Sequence, residues 1–349
     1  MEAALARRTP LERILINARR KLPAIVIFVF SLLLAIAIAV KAGPAQLLNV
    51  IVTGGMWALL AAGLALVFGV MNIPQFAHGE SFMVGAYIGY AVFTALTSYL
   101  EKHPSHLLSI LTPNVGVVAA LIVGAVMGIA IEKIAISPLR QRNRSGWVMN
   151  TFLLTAGLSF ILTNGTMLVV GPNFRGIPRY FDFPSLDILG VNVAVDRIWA
   201  FGIALISITA LALFLQRTRT GRAIRAVSQD ETGAELVGIN LSSVHTLTFS
   251  LATAVAAMAG AAMLFMFQAY PTVGLRPLYL SWYVVMLVGL GNVYGAIVGG
   301  FVVALLEMGS QQFIGIAWAD VIPVGLMIVV LLLVPSGIFG SEVKSVQEQ

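Results

Sequence analysis

His78 and Glu80 stand two positions apart in the stretch Asn72-Ile73-Pro74-Gln75-Phe76-Ala77-His78-Gly79-Glu80. An imidazole, a carboxylate and the two carboxamides of Asn72 and Gln75 can relay a proton, hydrogen-bond a polar solute, or simply hold a turn. Metal binding is a poor fit, because no second His or Cys lies at ligand spacing. Glu80 follows Gly79 at a helix start, where the dipole favours an acid, so capping competes evenly with a role in a pore. A second candidate group is Gly289-Leu290-Gly291-Asn292, whose glycines and amide suit a broken helix or re-entrant turn as well as one tilted helix. Glu132, Lys133, Glu307 and Asp320 also lie in or beside apolar runs. Glu132, Lys133 and Asp320 sit near run ends, where side chains are expected to snorkel to water.

These groups are embedded in a chain that is 59% hydrophobic and 10% charged, with a mean hydropathy of +0.94. Apolar runs lie at 24–40, 50–71, 81–100, 115–131, 147–170, 198–215, 246–267, 278–306 and 321–334. At about 20 residues per crossing, they predict an all-α polytopic membrane protein with roughly nine to ten transmembrane segments. Polar breaks fall near 72–80 and 287–295. Irregular backbone at membrane depth survives only inside protein or beside a wet cavity, so the 72–80 break points to transport rather than to a simple anchor. The chain divides into a basic segment 1–23, a membrane region 24–340 and a short tail 341–349.

The net charge of +6 is unevenly placed. Alternate loops carry Arg7, Arg8, Arg13, Arg19, Arg20, Lys21, Lys133, Arg140, Arg142, Arg144, Arg217, Arg219, Arg222 and Arg225 on one side. The other side carries Lys41, Lys102, Arg175, Arg179, Arg197 and Arg276. By the positive-inside rule the N-terminus is cytoplasmic, and the basic residues record topology rather than a nucleic-acid footprint. The first run fits an uncleaved span better than a signal peptide. With no cysteine, thiolate metal sites and cysteine nucleophiles are excluded.

The cytoplasmic loop 216–245 has its own helix signal. Ser228 and Glu231 fit a capping box, Gly238 fits a helix C-terminus, and Asn240 or Ser242 can cap the next span. A two-turn amphipathic helix with Ala226, Val227, Ala234 and Val237 on its apolar side is expected, docking into a partner or lying on headgroups. The outer loop 171–197 reads as an ordered loop or short hairpin around Pro172, Pro178 and Pro184. Gly85–Gly89, Gly124–Gly128 and Gly291–Gly295–Gly299 have the Gly-x-x-x-Gly spacing of close-packed membrane helices. No hydrolase, zinc-protease or P-loop motif is present. If ATP drives transport, another subunit hydrolyses it.

Three ordered motifs resemble the permeases of branched-chain amino acid ABC importers. Asn72 through Glu80, followed by Gly85-Ala86-Tyr87, is similar to that family's Asn-Phe-Ala-His-Gly-Asp/Glu segment, with Ile-Pro-Gln standing between Asn72 and Phe76. Thr220-Gly221-Arg222-Ala223, Arg225, Asp230 and Gly238-Ile239-Asn240 resemble its cytoplasmic segment, which precedes an Ala-rich span at 252–262. Gly289-Leu290-Gly291 with Gly295 and Gly299 resembles its glycine turn, with Leu290 departing from the usual glycine pair. The resemblance covers most of residues 50–340.

It implies a permease in a bacterial inner membrane, partnered by a second homologous permease, two ATP-binding subunits and a periplasmic or lipid-anchored substrate-binding protein. No cofactor is implied in this chain, ATP being held by the partners. The coupling role would fall on Arg222, Arg225, Asp230, Glu231 and Gly238. The translocation path would include Asn72, Gln75, His78, Glu80, Gly289, Gly291 and Asn292. The solute is left open among branched-chain and other amino acids, urea or amides, and other small molecules. The competing expectations are a stand-alone secondary transporter or channel, and, far behind, a membrane enzyme using His78 and Glu80.

Overall fold

A computed structural model describes residues 10–142, 146–177, 179–181, 183–188 and 191–339. Residues 1–9 of the basic N-terminal segment, Arg144, Pro178 and the tail 341–349 lie outside the described residues. The membrane helices are α1 (Pro10–Ala42), α2 (Pro44–Met71), α3 (His78–Lys102) and α4 (His106–Ile131). A π-helical turn, Glu132–Ile136, carries α4 into α5 (Ser137–Arg142). Then follow α6 (Trp147–Val170) and α7 (Val195–Arg217). Two short helices, α8 (Arg219–Gln229) and α9 (Glu231–Leu236), precede α10 (Leu241–Ala262), α11 (Leu275–Val288), α12 (Val293–Phe313) and α13 (Val321–Leu333). Among the described residues, nine helices are long and apolar enough to cross a membrane, with Leu275–Val288 as a shorter apolar helix. The outer loop does form a hairpin, Leu186–Ile188 pairing antiparallel with Val191–Val193.

The core is built on α2 and α10, the two most buried helices. Small residues let their neighbours close in. A Cβ on Gly85 of α3 would lie 1.8 Å from the Ala257 carbonyl oxygen of α10, so the backbones touch where any side chain would hold them apart. The Ala-rich 252–262 stretch is thus a packing surface for α3 and α4, and the Gly-x-x-x-Gly pairs of both helices face it.

The long apolar run 278–306, whose course the sequence left open, belongs to two helices. Gly289 (φ 112°) and Gly291 (φ 80°) turn the chain between α11 and α12, and the side chain of Asn292 accepts from the Gly295 amide (2.8 Å) to start α12. This turn lies at a bundle end: Gly291 packs on Gly69 near the close of α2, and Ile338 and Phe339 donate to the carbonyls of Leu287 and Val288. The deeper break falls at 263–274, taking up the last residues of the 246–267 apolar run and most of the gap before 278. There α10 stops and the chain turns back irregularly to begin α11. Counting that stretch with α11 as one pass, the described residues run the length of the bundle ten times. Residue 339 therefore returns to the bundle end at which α1 begins.

Candidate functional site: a mid-bundle break and a loop-side ionic latch

Residues 72–77 do not continue outward from α2. They fold back so that His78, the first residue of α3, lies beside Leu60 and Gly63 of α2. That position is 8–11 residues before the end of α2, about 12–17 Å into the bundle. Asn72 makes the reversal with φ 56°, a left-handed conformation that Asn tolerates better than other side chains. At the bottom of the fold, Gly79 meets Gly274, the residue before α11. A Cβ on Gly274 would lie 1.9 Å from the Gly79 carbonyl oxygen. The two breaks thus interlock backbone to backbone, and two helices start from one layer inside the bundle.

The polar side chains of the first break are sealed from solvent. His78 is fully buried, and its Nε2 lies 3.1 Å from the Leu60 carbonyl; a carbonyl only accepts, so Nε2 carries the proton. Glu80 is buried and accepts from Ser159 Oγ (2.6 Å) and Thr163 Oγ1 (3.4 Å), tying α3 to α6. Thr155 accepts from the Phe76 amide and donates to the Pro74 carbonyl, both at 3.3 Å, adding a second tie to α6. Gln75 is fully buried with neither amide atom bonded, and His78 Nδ1 and Glu80 Oε2 are likewise without protein partners. Buried polar atoms are normally satisfied, so this layer is arranged around groups outside the chain or exposed in another conformation. Of the seven sequence-derived path residues, Gln75, His78 and Glu80 are brought together here. Asn72, Gly289, Gly291 and Asn292 lie at the bundle end, shaping turns.

That same end carries the 216–245 loop, and its local structure differs from the sequence expectation. Ser228 caps nothing: it lies inside α8, which starts ten residues earlier where the Thr218 side chain accepts from the Gly221 amide (2.9 Å). The second helix is capped by Asp230, whose Oδ1 accepts from the Gly233 amide (3.0 Å). Gly238 (φ 86°) closes α9 as expected. Its amide donates to Glu235 and that of Ile239 to Ala234, the paired bonds of a Schellman motif. Asn240 then caps α10 through the Ser243 amide (3.0 Å). Asp230→Ala is expected to destabilise α9 by about 1 kcal/mol, visible as faster amide exchange at Gly233–Leu236 with α10 unaffected.

Of the apolar side expected for the loop, Val227 and Ala234 are buried and Ala226 partly so, whereas Val237 is 78% exposed, as is its neighbour Leu236 at 83%. Arg222 and Arg225 are also exposed, their guanidinium groups reaching the carbonyls of Arg217 (3.3 Å) and Gln216 (3.5 Å). Glu231 turns inward instead. Its Oε1 lies 3.7 Å from His245 Nε2 on α10. Partial burial raises its carboxyl above the usual range, with Arg140 opposing the shift.

Arg140 is the hub of a cluster that the sequence did not disclose. It contacts His245 Nδ1, pairs with Glu132 (3.6 Å) and lies over the Trp147 ring (5.9 Å). An arginine has only donors, so Nδ1 is the acceptor and Nε2–H faces Glu231. Glu132, expected to snorkel to water, has no exposed surface and accepts from Thr246 Oγ1 (2.6 Å). Glu132 continues α4 with ordinary helical angles (φ −63°, ψ −49°) on the side that faces α10, whereas Lys133 is exposed as expected. Arg140, Trp147, Glu231, Glu235 and His245 line a polar cleft of about 500 Å³ between the loop helices and the bundle. The cluster ties α10 to the α4–α5 junction and faces α9 through Glu231, while α8 rests on the core through buried Ile224 and Val227.

A third ionic group lies toward the opposite end. Glu307 of α12 is buried, accepts from Trp57 Nε1 (2.9 Å) and pairs with Arg276 Nη2 (2.8 Å), which also reaches Asp320 (3.3 Å). The sequence marks Glu307 but places Arg276 among loop cations. The overlooked signal was Pro271 with Arg276 at the end of an apolar run.

A family model described as branched-chain amino acid transport system / permease component matches residues 46–331. BraD of Pseudomonas aeruginosa, a high-affinity branched-chain amino acid transport system permease protein, is 32% identical over 301 residues, spanning 84% of this chain and 95% of that protein. LivH of Salmonella typhimurium, described in the same terms, is 30% identical over 300 residues, spanning 84% and 94%. A fructose import permease protein, FruG of Bifidobacterium longum, is 25% identical over 281 residues, spanning 75% and 76%. No solved structure matches the chain.

Proposed function

This chain belongs to the permease-component family of branched-chain amino acid transport systems, and we propose that it carries amino acids of the branched-chain type inward through the mid-bundle break. It is a non-catalytic ABC permease component, which implies ATPase and substrate-binding partners. The stand-alone transporter is not favoured.

The single observation that carries the proposal is the latched loop. Its helices are seated on the core through buried Ile224, Val227 and Ala234, with Glu231 facing the Arg140–His245 contact, while Leu236, Val237, Arg222 and Arg225 project outward. Apolar knobs on a capped helix end suit a groove on a partner, and the latch carries the partner's movement to α10. Asp230 and Gly238 hold the knobs in place, so their part in coupling is structural. Two ATP-binding subunits would dock here, ATP bound to them alone, and a second homologous permease would complete the path. Gln75, His78 and Glu80 would line that path, with Asn72, Gly289, Gly291 and Asn292 shaping its inner mouth.

The basic bias supports a cytoplasmic loop end, with both described chain ends on the same side, and the membrane would be a bacterial inner membrane. A periplasmic or lipid-anchored binding protein would meet the opposite end. The double substitution Leu236→Asp/Val237→Asp is expected to release the ATPase subunits during purification of the co-expressed complex and to abolish uptake in proteoliposomes. Retention of both activities would move the docking surface elsewhere, and uptake by the chain alone without ATP would sink the importer reading.

A further inference from the structure

The polar layer of Gln75, His78 and Glu80 lies at the mid-bundle start of α3, and the segment 263–274 descends to that layer from the outer end of α10. Between these two elements the outer loop dips into the bundle. Arg175 lies over the ring of Tyr90 (5.9 Å), and the Tyr180 ring meets that of Phe93 at 5.5 Å. Tyr90 and Phe93 are 12 and 15 residues beyond His78, and 12 and 9 short of the end of α3. That is about 18–22 Å outward of the polar layer. Ile177, Tyr180 and Phe181 form a small apolar cluster with Ala86 of α3 and with Leu264 and Ala269 of the descending segment, apart from the main core. The loop thus fills the cup that opens outward from the layer.

This cover is fixed at both ends and held lightly in its middle. Arg175 Nη2 donates to the Val170 carbonyl (2.9 Å) at the close of α6, and Asp196 of α7 accepts from the amides of Tyr180 (2.6 Å) and Phe181 (3.1 Å). Between those anchors Arg175 and Ala269 form an isolated antiparallel bridge. The Ala269 amide donates to Arg175 (2.7 Å) and the Arg175 amide to Ala269 (2.9 Å). The Phe174 ring lies 4.8 Å from that of Tyr270. Two hydrogen bonds that belong to no sheet cost little to break, because water replaces them. Three residues inward of Tyr90, Tyr87 packs against the same cluster with its hydroxyl buried and unpartnered. Buried polar atoms are normally satisfied, so an unpaired hydroxyl under a lightly held cover points to a second state in which it is wet.

We infer that residues 174–177 are an outer gate, parting from 268–270 to open the polar layer toward the side at which solute is delivered. The inference rests on the inward path proposed above and adds the element that closes it from outside. An importer needs such a seal, because a path open at both ends would let solute run back down its gradient.

The chain has no cysteine, so a pair can be introduced cleanly. A Cβ on Gly176 would lie 3.4 Å from Gln268 Cβ, close to the separation of about 3.8 Å in disulfides. Gly176→Cys/Gln268→Cys is oxidised in the complete transporter, with its ATPase and binding-protein partners, in proteoliposomes. Leucine uptake is expected to fall to the level without ATP and to return on reduction, whereas Gly176→Cys/Gln268→Ala is unaffected by oxidant. Transporter shown by mass to be crosslinked, yet taking up leucine at the rate of its reduced form, overturns the gate. A second measurement does not depend on the bridge forming. Ala269→Cys, at a position with no exposed surface, is treated with a membrane-impermeant maleimide from the outer side. Labelling should be faster during ATP turnover than at rest, and equal rates overturn the gate. Wild-type transporter that takes up no leucine, while Ala269→Cys still shows turnover-dependent labelling, overturns the proposed solute and supports the gate.

Discussion

Gly274→Ala is expected to abolish uptake and to remove the assembled complex from detergent extracts. Gly274 has ordinary backbone angles (φ −75°, ψ −16°), so the cost is not conformational. It is steric, because the new Cβ would meet the Gly79 carbonyl oxygen at 1.9 Å and its carbon at 2.4 Å. Neither atom belongs to a side chain that could rotate away. Ordinary overpacking costs about 1–3 kcal/mol after relaxation. Here relief requires separating the two breaks, which also drags His78 off Leu60 and Glu80 off Ser159. Gly202→Ala on α7, where a Cβ meets nothing within 4 Å, is the matched control and should change stability by less than about 0.5 kcal/mol. The measurement is monodisperse yield and uptake for both variants. Normal uptake by Gly274→Ala would show that the breaks do not touch in the working transporter.

Arg140→Ala should be the most damaging single change at the loop end. It strands the Glu132 carboxylate, which has no exposed surface, and removes the donor facing His245 Nδ1. Breaking a buried pair by deleting one partner costs about 3–5 kcal/mol, mostly from the charge left behind. Glu132→Gln in the same chain should therefore recover much of the loss, since a neutral amide can still accept from Thr246. Thermal unfolding of the purified complex gives the stability term, and the ratio of solute moved to ATP hydrolysed gives the coupling term. Partial recovery of stability with persistently poor coupling is the expected pattern, because α9 would still have lost part of its fastening to α10. A double variant no more stable than Arg140→Ala would show that Glu132 is not the partner that matters.

These two sites show where the sequence spoke and where it was silent. Spans and the 72–80 break are written in composition, because lipid forbids most alternatives and each run declares itself by length. Asn240 and Gly238 were legible as caps for a similar reason: each acts on neighbours two or three residues away. Ser228 misled because α8, already begun at Thr218, runs through it, and Asp230 caps the next helix more directly. Glu132 misled because nearness to a span's end does not say which way a side chain points. The 263–274 break was partly hidden, because its first residues read as the end of the 246–267 apolar run. The meeting of Gly79 with Gly274 and of Arg276 with Glu307 depends on packing between segments distant in the chain. No local pattern encodes that.

The ten passes of the described residues bring residue 339 back to the face from which α1 departs. Two copies could therefore be joined tail to head in one polypeptide without adding a membrane segment to correct the topology. In such a tandem, one half could carry a variant while the other stays intact, so the contribution of each half of a permease pair could be measured within a single assembled transporter.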